Sequence, residues 1–150
     1  MEKLNPINAV IFDLDGTLSD CAHRNHYLEK TPIDLDGFDA LMHTDTVIAP
    51  VAFLLKNLSG VIKIVLTARP NKYRKVTEKR LSDYKLLSHI EEIYMRPEEW
   101  YKKPDNLYKQ SMIKFLSQKY NILLVIDDSN HVVNMWRDNG IYCLQAKSIK

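Results

Sequence analysis

A chain of 150 residues with 45% apolar and 27% charged side chains has the length and composition of one compact globular domain with a buried core. Its net charge of +2 excludes a polycation that coats nucleic acid along its whole surface, so any anion affinity must come from a local patch. Cys21 and Cys143 show neither CxxC nor Cys/His ligand spacing, which excludes a disulfide framework and a structural zinc site, and MEKLNPINAV holds no secretory or membrane-spanning run; the expectation is a reduced, cytoplasmic protein with no membrane association.

Taken in order, the chain alternates short apolar runs with helix-like segments. NAVIFD (8–13) predicts the first strand. The stretch from Ser19 to about Ile48 is polar, aromatic and poorly periodic, and reads as a small inserted cap, helical at 34–42. A helix at 49–58 leads to the strand VIKIVLT (61–67), with Asn57 to Gly60 as its C-cap signal. A helix at 72–85, the strand EEIYM (91–95) and a helix at 106–119 follow. The strand ILLVID (122–127), a helix at 130–138 closed by Asn139-Gly140, and the strand IYCLQ (141–145) complete the pattern. Strands that are apolar almost throughout suit a sheet covered on both faces, and strand–helix alternation argues for parallel βαβ units. The predicted fold is therefore α/β: a Rossmann-like three-layer sandwich with a mainly parallel five-stranded sheet, one domain over 1–150, and the cap after the first strand.

The chemistry begins at VIFDLDGTLSDCAHR (10–24), where a buried run delivers Asp13 and Asp15. Carboxylates at the end of a buried strand repel one another and are costly to desolvate. Asp13, Thr67 and Asp127-Asp128 all fall at the carboxyl ends of predicted strands, where open α/β sheets bind ligands. Asp105 and Lys109, four residues apart, stand near the start of a helix. An all-oxygen cluster becomes tolerable around a divalent cation, and Mg²⁺ suits it. Asp13 would then attack a phosphoryl group as nucleophile and form an aspartyl-phosphate. Asp15 would protonate the leaving oxygen and later take a proton from water. Thr67 and Lys109 would bind the non-bridging oxygens.

DLDGT (13–17), Thr67, Lys109 and Asp127-Asp128 resemble, in order, the four motifs of the haloacid dehalogenase (HAD) superfamily. More closely, the chain resembles the 3′-phosphatase domain of phage polynucleotide kinase-phosphatases from Ala9 to about Ala146. That likeness includes Arg24 eleven residues after Asp13, TAR at 67–69, MRP at 95–97, Asp105 with Lys109, IDDSNHVVNMW (126–136) and CLQ (143–145). The resemblance implies Asp13 as nucleophile and Asp15 as general acid-base. It implies Mg²⁺ held by Asp13, the Asp15 carbonyl and Asp127, with Asp128 in support. Arg24 and Arg69 would bind substrate, and Asp105 would position Lys109. Thr67 stands where such relatives often have serine, which keeps the hydroxyl. No GxxxxGK[ST] is present, so the kinase half is expected to be absent. The expected substrates are phosphorylated nucleic-acid ends or nucleotides, with a separate kinase or ligase as candidate partner.

Several residues have plainer readings. His23 and His26 read as solvated loop residues, and NKYRKVTEKR (71–80) as a solvated helix face with Tyr73, Val76 and Leu81 inward. Trp100-Tyr101 would be half-buried aromatics, and Cys143 a small buried hydrophobe. A response-regulator-type signalling module also gathers Asp pairs, Thr and Lys around Mg²⁺, but it resembles a pattern with the acidic pair first; here the pair comes last. Among enzymes, the competing expectation is a phosphatase of nucleoside monophosphates or another small metabolite.

Overall fold

A computed structural model describes residues 6–147. Five strands form the main sheet in the order β5-β4-β1-β6-β7: β1 (Ile7–Phe12), β4 (Ile62–Pro70), β5 (Glu92–Arg96), β6 (Tyr120–Asp127) and β7 (Cys143–Gln145). Every neighbouring pair in it is parallel. β1 is central because both of its faces are apolar. Ala9 and Ile11 join Ile64, Leu66 and Val125 in one core layer, while Val10 and Phe12 join Val65 and Ile126 in the other. This period-two division explains the unbroken apolar run.

Helices cover both layers. α4 (Asp105–Lys119) and α5 (Asn130–Asp138) bring Tyr108, Leu116, Val132 and the fully buried Trp136 to the first. α2 (Ala49–Asn57) and α3 (Arg74–Asp83) bring Ala52, Leu55 and Leu81 to the second. The expected three-layer parallel fold is thus observed. The chain runs from β1 outward through β4 to β5, then crosses back to β6 and β7, so the strand order reverses at β1. A crevice beyond the carboxyl ends of the strands follows from that reversal.

The cap spans the expected region. β2 (Ser19–Asp20) and β3 (Thr46–Val47) pair antiparallel and close it at its base. Between them lie a 3₁₀ segment over Ala22–Tyr27 and α1 (Leu35–Ala40), whose N-cap Asp34 accepts the Gly37 amide at 2.8 Å. The helix expected at 34–42 stops at Ala40, and a separate 3₁₀ turn follows at Met42–Thr44.

Other boundaries shift for physical reasons. β4 continues past Thr67 to Pro70 through a register irregularity against β5. The last strand starts at Cys143 rather than Ile141, because Ile141 is spent closing α5. Gly140 takes φ +75°, its amide reaches the Arg137 carbonyl at 2.9 Å, and the Ile141 amide reaches the Trp136 carbonyl at 3.0 Å. The Asn57 to Gly60 signal is corrected. The cap of α2 is Leu58, extended, with its amide on the Leu54 carbonyl, so the positive φ at Gly60 belongs to the following loop.

Candidate active site

Asp13 leaves β1 with its amide still donating to the Ile126 carbonyl at 2.9 Å, so the nucleophile candidate sits on the rigid sheet edge. The chain then turns back sharply: the Leu18 and Ser19 amides both reach the Leu14 carbonyl at 2.9 Å. Gly16 makes this possible. Its φ is +84°, and a Cβ there would fall 2.1 Å from Asp128 Oδ2. Thr17, fully buried, donates its hydroxyl to Asp13 Oδ2 at 3.1 Å and lies 3.5 Å from Asp128 Oδ1.

Lys109 reaches in from α4. Its ammonium lies 2.8 Å from Asp13 Oδ1 and 2.7 Å from Asp127 Oδ2, with all three residues buried. Burial opposes the lysine's charge, but the two carboxylates outweigh it and hold its pKa above the ordinary value. Burial and the Asp127 charge push Asp13 well above the usual carboxylate range, against the pull of Lys109. Burial also raises Asp128. Asp13, Asp127 and Asp128 can each present an oxygen within 4.8 Å of the others. Three carboxylates this close, one of them strongly disposed to protonate, carry more negative charge than one lysine offsets. The all-oxygen donor set fits a hard divalent cation such as Mg²⁺. The Asp15 carboxylate is not in that set; only its backbone carbonyl remains for the role the resemblance gave it.

Asp15 points instead to a buried arginine pair. Arg69 binds it with Nε at 2.9 Å and Nη2 at 2.7 Å, and Arg24 Nη2 adds a contact at 2.9 Å. Burial works to raise the Asp15 pKa, but Arg69 and Arg24 overcome it and hold the carboxyl below its ordinary value. Behind the arginines lies Asp45, fully buried. It receives Arg24 Nε and Nη2, both at 2.7 Å, and Arg69 Nη2 at 2.9 Å. Arg24 Nη1 goes to the Phe38 carbonyl, and Arg69 Nη1 to the Thr77 hydroxyl. The two arginines expected to bind substrate each make four hydrogen bonds to protein groups and both hold Asp15, and Arg69 also lines the cavity.

Thr67 is buried at the cavity wall, where its Oγ1 accepts the Arg69 amide at 3.1 Å. Its own O–H is left to donate into the cavity. Asp105 departs from expectation, since Lys109 is held by Asp13 and Asp127 rather than by its neighbour on α4. The Asp105 carboxylate accepts the Asn106 amide and lies 2.5 Å from His131 Nε2, while His131 Nδ1 lies 2.9 Å from Ser129 Oγ. This row ties the start of α4 to the start of α5. Asp13, Asp15, Thr67, Lys109, Asp127 and Asp128 all line one cavity of about 620 Å³.

Sequence reasoning missed Asp45 and His131. Asp45 pairs across 21 and 24 residues, and His131 across 26, so no local spacing marks either one. The plainer readings fit elsewhere. His23 is exposed beside Thr44, Trp100 packs against Tyr108, and burial pushes the Cys143 thiol up to about 11. Tyr101 is half-buried, as expected, and lines the cavity.

A parallel sheet with an acidic pair after β1, a hydroxyl in β4, a lysine in α4 and an acidic pair at the end of β6 defines a phosphatase of the haloacid dehalogenase type. Residues 7–149 match the family model described as the polynucleotide kinase PNKP phosphatase domain, and the chain belongs to that family. It is 34% identical to a chain in the structure of the Pnkp1/Rnl/Hen1 RNA repair complex, covering 95% of this chain and 43% of that one, with a TM-score of 0.75. A second structure of the Pnkp1/Rnl/Hen1 complex matches at 33% identity over 99% and 48% of the two chains, with a TM-score of 0.76. The chain thus spans less than half the length of both. The class C acid phosphatase from Bacillus anthracis with tungstate bound shares the fold at 16% identity, covering 97% and 68%, with a TM-score of 0.68. No helix among the described residues is long and apolar enough to cross a membrane.

Proposed function

We propose that the protein removes 3′-phosphates from nucleic-acid ends, as a Mg²⁺-dependent phosphomonoesterase working through a phosphorylated Asp13. The observation that carries the chemistry is the placement of Asp13 and Asp15 at the end of the central strand, in one cavity with Thr67, Lys109, Asp127 and Asp128. Membership of a polynucleotide kinase phosphatase-domain family, and likeness to a chain of an RNA repair complex, support a nucleic-acid end as substrate and a ligase as partner.

In the first step an Asp13 oxygen forms a bond to phosphorus while the bond to the sugar oxygen breaks, and Asp15, protonated for this step against the pull of Arg69 and Arg24, gives that oxygen its proton. Water then attacks the phosphorus, Asp15 takes its proton, the Asp13–phosphorus bond breaks and inorganic phosphate leaves. Lys109 and the Thr67 hydroxyl stabilise the non-bridging oxygens. Thr17 and Lys109 hold the Asp13 carboxylate in orientation. Arg24 and Arg69, backed by Asp45, fix Asp15. Asp13, Asp127, Asp128 and the Asp15 carbonyl would hold the cation, which supplies charge to offset the phosphoryl dianion.

A substrate panel tests this reading: oligonucleotide 3′-phosphates, nucleoside 2′-, 3′- and 5′-monophosphates and an aryl phosphate, each with and without Mg²⁺ over a salt series. The expected result is Mg²⁺-dependent turnover with 3′-phosphate oligonucleotides preferred at low salt, the preference narrowing as salt rises. Preference for mononucleotides at every salt concentration would replace end healing with a nucleotidase function.

A further inference from the structure

The cavity has two chemistries. Its floor is the polar machinery around Asp13, whereas the cap contributes an apolar patch, Leu28, Ile33 and Leu35 backed by Phe38 and Met42, beside the polar Asp20, Asn25 and Asp39. Met42 is buried, yet Leu28, Ile33 and Leu35 remain 38%, 59% and 44% exposed. Large aliphatic side chains held in water at the rim of a polar cavity mark a surface that a ligand covers.

The shelf is also fixed relative to the reaction centre. Arg24, which holds Asp15, lies with its guanidinium carbon 4.0 Å from the centre of the Phe38 ring and donates Nη1 to the Phe38 carbonyl at 3.0 Å. Asp34 caps α1, and Gly37 packs so closely on Tyr27 that a Cβ there would fall 2.5 Å from the Tyr27 ring. A group attached to the leaving oxygen that Asp15 protonates therefore meets a surface of set position.

We propose that this shelf binds the terminal nucleobase of the phosphorylated end by apolar contact. The inference rests on the function proposed above and names its recognition element. A phosphate on the floor anchors one end of the substrate, and the part carried by the leaving oxygen extends toward the rim. In a nucleotide, the flat and largely apolar part of that group is the base. Aliphatic contact reads a base's faces and not its hydrogen-bonding edges, so all four bases are accepted at similar rates, with purines somewhat ahead through their greater area.

The test compares substrates with and without a terminal base: oligonucleotide 3′-phosphates ending in a nucleotide or in an abasic sugar, and nucleoside 3′-monophosphate against ribose 3-phosphate. Ile33→Ser, Leu35→Ser and the double variant are measured beside the unaltered protein. Both side chains are already exposed, so the fold and thermal midpoint should be unchanged. The double variant should lose roughly tenfold in kcat/KM on base-bearing substrates, mostly through KM, and nothing on their abasic counterparts. Equal rates on base-bearing and abasic substrates for the unaltered protein, or equal losses on both in the variants, would overturn the shelf. Failure of end healing reads differently: oligonucleotides then lose to mononucleotides, and the nucleoside-against-ribose pair still decides the shelf.

Discussion

Arg69 grips Asp15 with two parallel contacts, Nε to Oδ2 at 2.9 Å and Nη2 to Oδ1 at 2.7 Å, from a site that is 3% exposed. The planar fork fixes both the position of the carboxylate and its rotation. A lysine keeps the charge but presents one compact donor. Arg69→Lys should therefore lower kcat/KM on a 3′-phosphate oligonucleotide by about 10- to 100-fold, and affect an activated aryl phosphate much less, because a good leaving group needs little protonation. Asp15→Asn should give the same pattern more severely. If either variant harms both substrates equally, Asp15 does not serve the leaving group.

The same contacts link pH to stability. The folded-state pKa of Asp15 lies below its unfolded value, against the effect of burial and through Arg69 and Arg24. A depressed carboxyl contributes stability that is complete above its unfolded value, near 3.9, and is lost as pH falls through the lower folded value. Urea unfolding of the protein and Asp15→Asn between about pH 3 and 6 should show the difference between them largest at the upper end and shrinking below about pH 4. A difference constant with pH would refute the linkage.

Asp45 carries no part in the chemistry, yet it is fully buried and receives both arginines. It also anchors the cap, since its carbonyl accepts the Tyr84 hydroxyl at 2.9 Å and its carboxylate accepts the Ser19 hydroxyl at 3.3 Å. Removing one member of a buried charge network leaves the others uncompensated, at about 3–5 kcal/mol. Asp45→Asn keeps the shape and should cost toward the low end of that range in urea unfolding, with turnover falling as Asp15 loses its backing. Unchanged stability would show that Asp15 alone satisfies the arginine pair.

Asp13→Asn should abolish nearly all turnover without unfolding the protein, because Lys109 keeps Asp127 and Thr17 can still bond the amide. A readout independent of activity follows from the cluster of Asp13, Asp127 and Asp128. Mg²⁺ should raise the thermal midpoint of the unaltered protein, since a ligand of the folded state stabilises it, and should raise that of Asp13→Asn much less. Substantial activity of Asp13→Asn in excess Mg²⁺ would rule out the covalent route.

Much of this is legible in the sequence. The apolar runs in β1, β4 and β6 alternate over two core layers, so their burial is written in local composition, and a parallel sheet places every residue that follows a strand at one edge. Asp13, Thr67 and Asp127 were readable as neighbours for that reason, and Lys109 through its place in an ordered set of motifs. The helix ends were legible where one residue closes the cap, as at Gly140, and misread where the chain leaves the helix extended, as at Leu58.

The sequence by itself determined the sheet, its order of chemistry and the family, because those depend on periodicity and on residues adjacent along the chain. Only the tertiary structure decided what each charge does. It set Arg24 and Arg69 as a clamp on Asp15, supplied Asp45 behind them, moved Asp105 from Lys109 to His131, and gathered Leu28, Ile33 and Leu35 at the cavity. A guanidinium binds whichever carboxylate folding brings within 3 Å, and Arg69 finds its two at separations of 24 and 54 residues, where no local pattern in the chain records the encounter.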